Sequence, residues 1–196
     1  MGKRVAVLLD GGHVRVLAKN AGMQYTPDYI EKIAKACVEP DEEPLRFLYY
    51  DCAPYVGTAQ LPVSGTVKQY NGSDAWLKTL GARDLFAIRL GILKFRGFKP
   101  KKLFPAGSPV TDADFKADFE QKGVDMRIGL DIATFSANGA VDLLILVSGD
   151  TDCIPAMKHA RIAGLQVALV SFPNRSASSE MLMHADYERR VAWPAP

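Results

Sequence analysis

The chain has 196 residues, 48% hydrophobic and 23% charged, with 16 Gly and 12 Pro, a balance that excludes a fibre or a disordered tail. A chain of this length buries roughly 70% of the surface it would expose unfolded, so its core needs neither metal nor disulfide to hold it. The formal charge of +2 excludes a wholly basic surface of the kind that coats nucleic acid or anionic membrane.

Residues 5–9 form a continuous apolar run that stops at Asp10-Gly11-Gly12, the pattern of a central parallel strand covered on both faces and ending in a turn. Thr26-Pro27-Asp28 supplies an N-cap, a proline at the first helical position and an early carboxylate. Tyr29, Ile30, Ile33 and Ala34 follow at helical spacing, which predicts a helix to about Cys37. Residues 45–50 read as a second strand that delivers Asp51 at its carboxyl end. The Pro- and Gly-rich stretch near 53–72 reads as a loop excursion long enough to be a functional insertion. A capped helix is expected over 73–80, closed by Gly81, and a strand over 85–93.

Composition then changes. Residues 94–102 pack Lys94, Arg96, Lys99, Lys101 and Lys102 around Phe95 and Phe98, and an acidic stretch at 111–120 follows, read as a short helix or a disordered hairpin tip. Ile128, Ile132 and Phe135 mark a helix over 124–137, and 141–147 is the clearest strand of the chain. Ser148-Gly149-Asp150-Thr151-Asp152 comes next, then a helix over 154–163, a strand over 167–170 and a last helix over 176–185. Strands that alternate with helices predict an α/β fold, a mainly parallel sheet with helices on both faces.

Fifteen of the 22 carboxylates are Asp, a residue of turns and metal sites. In open α/β sheets the ligand crevice lies beyond the carboxyl ends of the strands, so residues that follow strands converge there. Asp10 and Asp150 satisfy that rule, Asp152 follows two residues on, and Asp51 is a weaker case. Asp125 and Asp131 belong to one helix, where six residues separate them by about 120°, so that one faces the crevice while the other caps or packs. Several carboxylates in one crevice repel each other, and a divalent cation with oxygen ligands relieves this most directly. Mg²⁺ or Mn²⁺ fits best, and such an ion can activate a water and stabilise charge on a phosphodiester. Any single Asp after a strand is most often an N-cap or a turn residue; Asp150 and Asp152 are compatible with that role, but capping does not account for the joint pattern.

Four blocks carry a resemblance: 4–12, Tyr49-Tyr50-Asp51, 121–132 and 146–152. Together they resemble the NYN domain family, in its LabA-like bacterial branch, within the PIN-like nuclease superfamily, in order from about residue 4 to about residue 187. The resemblance implies a Rossmann-like three-layer α/β/α sandwich, a single domain spanning 1–196, whose acidic cluster binds Mg²⁺ or Mn²⁺ and cuts RNA. It makes Asp10 the metal ligand of the first strand, Asp125 the acid of the Lys122-Gly123-Val124-Asp125 block, and Asp150 and Asp152 the paired acids of the late motif. Asp131 matches a further acid of the same helix. The chain departs from the family where Asp10-Gly11-Gly12-His13 lacks the usual Asn, and where Cys153 replaces an aromatic residue.

The basic and acidic insertion near 94–120 offers phosphate contacts from its five cations, with Phe95 and Phe98 free to stack on unpaired bases. The structural alternative puts both rings in the core with the cations reaching outward. His13 is placed to orient substrate or water, and Ser148 is counted with it as a substrate contact. His13, His159 and His184 lack zinc-site spacing, Ser148 lacks a nucleophile-elbow context, and no dinucleotide-binding glycine pattern is present. Three widely spaced cysteines, Cys37, Cys52 and Cys153, and no leader or membrane span indicate a reducing cytoplasm.

The expected activity is a metal-dependent endoribonuclease acting on single-stranded or structured RNA through Asp10, Asp125, Asp150 and Asp152. The alternative is a catalytically silent RNA- or protein-binding regulatory module on the same fold, and a third reading is a phosphatase. A homodimer is compatible with the sequence, and nothing in it requires one.

Overall fold

The computed structural model describes residues 2–105, 107–173 and 175–195. In chain order its strands are β1 (Lys3–Asp10), β2 (Glu42–Cys52), β3 (Val56–Gln60), β4 (Val67–Asn71), β5 (Phe86–Pro100), β6 (Phe115–Lys122), β7 (Leu143–Val147), β8 (Gln166–Ser171) and β9 (Tyr187–Arg190). The helices are α1 (Gly11–Asn20), α2 (Pro27–Ala36), α3 (Ala75–Gly81), α4 (Val124–Asn138), α5 (Ile154–Ile162) and α6 (Ser179–Leu182). Seven strands make one sheet in the order β6-β5-β2-β1-β7-β8-β9, parallel except for the β5–β6 pair. This is the expected α/β architecture with a mainly parallel central sheet.

The apolar run of β1 is buried on both faces because its side chains alternate between two cores. Val5, Val7 and Leu9 join the side chains of α1, α2 and α3, whereas Ala6 and Leu8 meet those of α4 and α5. Among the described residues no helix is long and apolar enough to cross a membrane.

Four local expectations are corrected. The turn after β1 is instead the start of α1, with Asp10 as N-cap accepting from the His13 amide at 3.1 Å. Two glycines open that helix and mask it, while Val14, Leu17 and Ala18 keep helical spacing and are buried. The loop excursion near 53–72 contains the antiparallel hairpin β3–β4. Residues 94–100 and 115–122 are the two strands of an antiparallel ladder, and a single 3₁₀ turn at Asp112–Asp114 replaces the expected helix or disordered tip. The final helix is shortened to α6, and β9 follows it.

The first half of β5 pairs with β2 as far as Gly91, opposite Cys52; its last nine residues pair with β6 alone. At about 3.3 Å per residue, that arm reaches roughly 30 Å past the carboxyl edge of the sheet. The β3–β4 hairpin leans on it through rings. Tyr55 lies 5.8 Å from Phe95 and 5.4 Å from Phe119, and Tyr70 lies 5.8 Å from Phe119. In the turn that joins β3 to β4, the Val63 amide donates to Asp112 at 2.9 Å. Because β6 descends from the arm tip to the sheet rim, α4 starts at that rim.

Candidate functional site

From β1 the chain moves to β2 on one side of the sheet, and β7 flanks β1 on the other, so the strand order reverses at the carboxyl ends of β1 and β7. Leu9 pairs with Val147, which brings Asp10 beside the turn that leaves β7. One buried hydroxyl ties the two together. Ser148 donates to Asp10 Oδ2 at 3.1 Å and accepts from the Asp150 amide at 3.1 Å. Asp150 then accepts from the Asp152 amide at 2.9 Å, which folds both late acids into the turn before α5.

The third contributor arrives from the arm. Gly123 sits between β6 and α4 with φ of +77°, a left-handed conformation that other residues adopt at a cost. The turn sets Asp125 in the first turn of α4, pointing to the rim. Carboxylate oxygens of Asp125, Asp150 and Asp152 lie within 4.8 Å of one another. Asp10, Gln121, His13, Asp125 and Asp150 line one open cleft of about 600 Å³. Four of the five sequence-predicted acids therefore meet at one rim, three of them at ligand spacing.

The electrostatics record that crowding. The Asp125 carboxyl is raised above its ordinary value by burial and by the charge of Asp150, with Asp10 and Asp152 adding to the effect. Burial lowers the His13 imidazole; Asp10 opposes that shift and Arg175 reinforces it, so the ring is neutral at pH 7. The donor set is all oxygen and its mutual repulsion is unrelieved by any described cation, as a hard divalent ion requires. All three cysteines are buried, and burial pushes the Cys37 and Cys153 thiols up to about 12, which leaves no thiolate to compete.

Other predicted residues lie elsewhere. Asp131 is turned about 120° around α4 from Asp125, where it accepts from Tyr50 Oη at 2.9 Å and from Arg89 Nε at 2.9 Å. Those bonds hold it in the packing of α4 against β2 and β5, outside the cluster. Asp51 is 4% exposed and surrounded by donors: the Arg15 guanidinium, Tyr49 Oη at 2.9 Å, its neighbour Cys52 N at 2.8 Å and Gln121 Nε2 at 3.1 Å. Ser148 is 2% exposed and donates its hydroxyl proton to Asp10, so it acts by positioning that carboxylate.

The basic cluster is largely occupied by partners. Arg96 pairs with Glu120 at 2.5 Å and Lys99 with Asp118, while Lys101 donates to the Ala113 carbonyl at 2.6 Å. Lys102 stands 5.8 Å over the Phe104 ring, and Lys94 faces Glu120 across the ladder. Phe95 and Phe98 pack at 5.3 Å, and Phe95 also meets Tyr55, Tyr70 and Phe119, so these rings hold the hairpin to the arm. The acidic stretch that reads separately in the sequence includes the second strand of the same ladder, whose Glu120 and Asp118 pair with Arg96 and Lys99 of the first. Sequence reading passes over Gln121, which links the cleft to Asp51, and over Arg175, which follows β8 in no recognisable pattern of its own.

A model of the NYN domain matches residues 74–190, more than half the chain. The chain belongs to the NYN domain family. This NYN domain is thereby a member of the PIN-like nuclease superfamily, and the matched span contains Asp125, Asp150 and Asp152 while Asp10 and His13 precede it. A crystal structure of a protein of unknown function from Vibrio parahaemolyticus RIMD 2210633 is similar to it, with a TM-score of 0.52 and 21% identity over 97% of this chain and 93% of that one. At that identity the likeness shows the fold alone. No functionally curated protein matches the NYN sequence significantly.

Proposed function

We propose that this NYN domain is an endoribonuclease that depends on Mg²⁺ or Mn²⁺. The observation that carries the reading is the convergence of Asp125, Asp150 and Asp152 within 4.8 Å at the switch point of the sheet, on a rim shared with Asp10. Asp125, Asp150 and Asp152 would hold the cation, which when bound supplies Lewis acidity toward a phosphodiester and a more acidic water. The protein's share is to fix the acids before substrate arrives. Ser148 and the His13 amide hold the two oxygens of Asp10, and the Asp152 amide holds Asp150. That arrangement needs no reorganisation during the reaction, which is the property that makes electrostatic stabilisation effective.

Family membership supports RNA as the substrate, and so does an open cleft bordered by the arm, which has room for a polymer. The binding-module alternative relies on the cations of 94–102, and ion pairs with Glu120 and Asp118 occupy two of them. The test is cleavage of end-labelled RNA in Mn²⁺ by the unaltered protein and by Asp150→Asn and Asp125→Asn. The expected result is cleavage that EDTA abolishes and each substitution lowers by at least about a hundredfold. Equal rates in all three proteins would refute the assignment.

A further inference from the structure

A second pocket adjoins the acidic cleft and has the opposite character. His13, Leu17, Ser148, Gly149, Val170, Ser171, Arg175 and residues 176–178 enclose about 270 Å³ beyond the carboxyl ends of β7 and β8. His13 and Gly149 line both spaces, so the imidazole forms the partition between them. Gly149 is what admits the ring. A Cβ at that position would stand 2.6 Å from His13 Cε1 and 2.9 Å from Nδ1, so no larger residue fits while the imidazole lies there.

Among the described residues no carboxylate lines this pocket, although four aspartates crowd the rim on the other side of His13. Its polar groups include the Arg175 guanidinium, the imidazole, and the Ser176 and Ser178 hydroxyls, while the Ser171 hydroxyl already donates to Glu188 at 2.7 Å. Ser178 Oγ accepts from the Met181 amide at 3.4 Å, which leaves its own proton free to donate. Arg175 makes no ion pair with any described carboxylate, whereas Arg161, Arg189 and Arg190, its neighbours in sequence, are each paired to one. A third space further along the strand ends also touches Arg175, but Glu188 lines it, so the part of the trough without a lining carboxylate ends at the second pocket.

We propose that this pocket is a phosphate subsite, in which Arg175 and His13 receive the backbone phosphate next to the one held over the acidic cleft. The subsite rests on RNA being the ligand of that cleft. It gives the strand a path, from the aspartates across His13 toward the ends of β8 and β9, and it adds a cation that no described carboxylate holds. Arg175 is a binding residue here, and the phosphate it holds is not the one that reacts.

The test is fluorescence-anisotropy titration of a labelled single-stranded RNA dodecamer in EDTA, where no turnover occurs, at several salt concentrations. The proteins are the unaltered chain, Arg175→Ala, Arg175→Gln, and Arg46→Ala as an exposed arginine on β2 away from the rim. Loss of one phosphate contact should weaken binding about tenfold and flatten the plot of log affinity against log salt by about 0.7 for both Arg175 variants, with Arg46→Ala unchanged. Equal slopes for Arg175→Ala and the unaltered protein overturn the subsite, as does failure of the unaltered protein to bind the RNA. Since the measurement needs no catalysis, the two readings separate. Should Asp150→Asn cleave normally while Arg175→Ala flattens the slope, the nuclease reading falls and the phosphate pocket stands.

Discussion

Replacing Asp125 with Asn should stabilise the cation-free protein while weakening its response to Mn²⁺. Two carboxylates at 4.8 Å repel by about 0.9 kcal/mol at the dielectric of water and about 3.5 kcal/mol at an effective value of 20. Asp152 is exposed and its two partners are half-buried, so solvent screening puts each pair near the lower figure, about 1 kcal/mol. Asp125 faces two such partners, which gives about 2 kcal/mol, from which the lost attraction of its charge to the start of α4 takes about 0.5–1 kcal/mol. The net gain of about 1 kcal/mol should raise the melting temperature in EDTA by roughly 2–4 °C for a chain of this size. The pH dependence has a definite sign. Because the folded carboxyl is raised above its ordinary value, the folded state keeps a proton that the unfolded chain has lost, so stability falls as pH climbs from about 3.9 through the raised value. Asp125→Asn removes that fall. Differential scanning calorimetry in EDTA and in Mn²⁺ reads all three effects. A variant that melts at or below the unaltered protein in EDTA, and gains as much from Mn²⁺, would refute the idea that these acids act as a group.

Ser148→Ala leaves Asp10 Oδ2 and the Asp150 amide without their shared partner, and a buried group left unsatisfied costs about 1–3 kcal/mol; the melting temperature should drop, and RNA cleavage should fall by more than about tenfold. Arg189, which is 7% exposed, holds both oxygens of Glu42 at 2.7 and 2.8 Å, tying the edge strand β9 to β2. Arg189→Ala should cost about 3–5 kcal/mol, a drop of roughly 6–20 °C by thermal denaturation. Burial alone would raise Glu42, but hydrogen bonds from Arg189 and from Glu39 N outweigh it and hold the carboxyl below its ordinary value. The pair thus supports the fold above about pH 4.3 and is lost as pH falls below that, a loss that acid titration of the Arg189 variant should no longer show. Arg96→Ala and Lys99→Ala remove cations that already have acidic partners on β6, so each should change RNA affinity by less than about twofold in the same anisotropy assay.

Much of this site is written in local sequence. The apolar runs of β1 and β7 are long enough to be recognised as buried strands, and a strand end fixes where the next residue goes, which is why Asp10 and Asp150 can be placed without coordinates. Asp125 is harder to separate from Asp131. Helical spacing says that only one faces the crevice, and which one depends on the left-handed turn at Gly123, a property of the β6–α4 junction. The β5–β6 arm is the clearest failure of local reading. Its basic and acidic stretches look like separate surface features until pairing sets Phe95 against Phe119 and Lys94 against Glu120, contacts that sequence distance hides. The same holds for Ser148, whose role is decided by Asp10, 138 residues away.

The arm and the Arg175 pocket together decide how a polyanion can approach a rim that is itself acidic. Three aspartates repel a phosphate backbone, so a cation within a screening length of the cleft, about 8–10 Å at ordinary salt, favours its approach. The arm provides less positive charge than its sequence suggests, because Glu120 and Asp118 already hold Arg96 and Lys99. Arg15 is likewise held, by Asp51. Arg175 is close enough to shift His13 electrostatically, and His13 lines the acidic cleft. Asp125, Asp150 and Asp152 would be neutralised by a bound cation, and Arg175 on the far side of the imidazole would hold the strand, so loss of the acids should act on turnover and loss of the arginine on the salt dependence of binding.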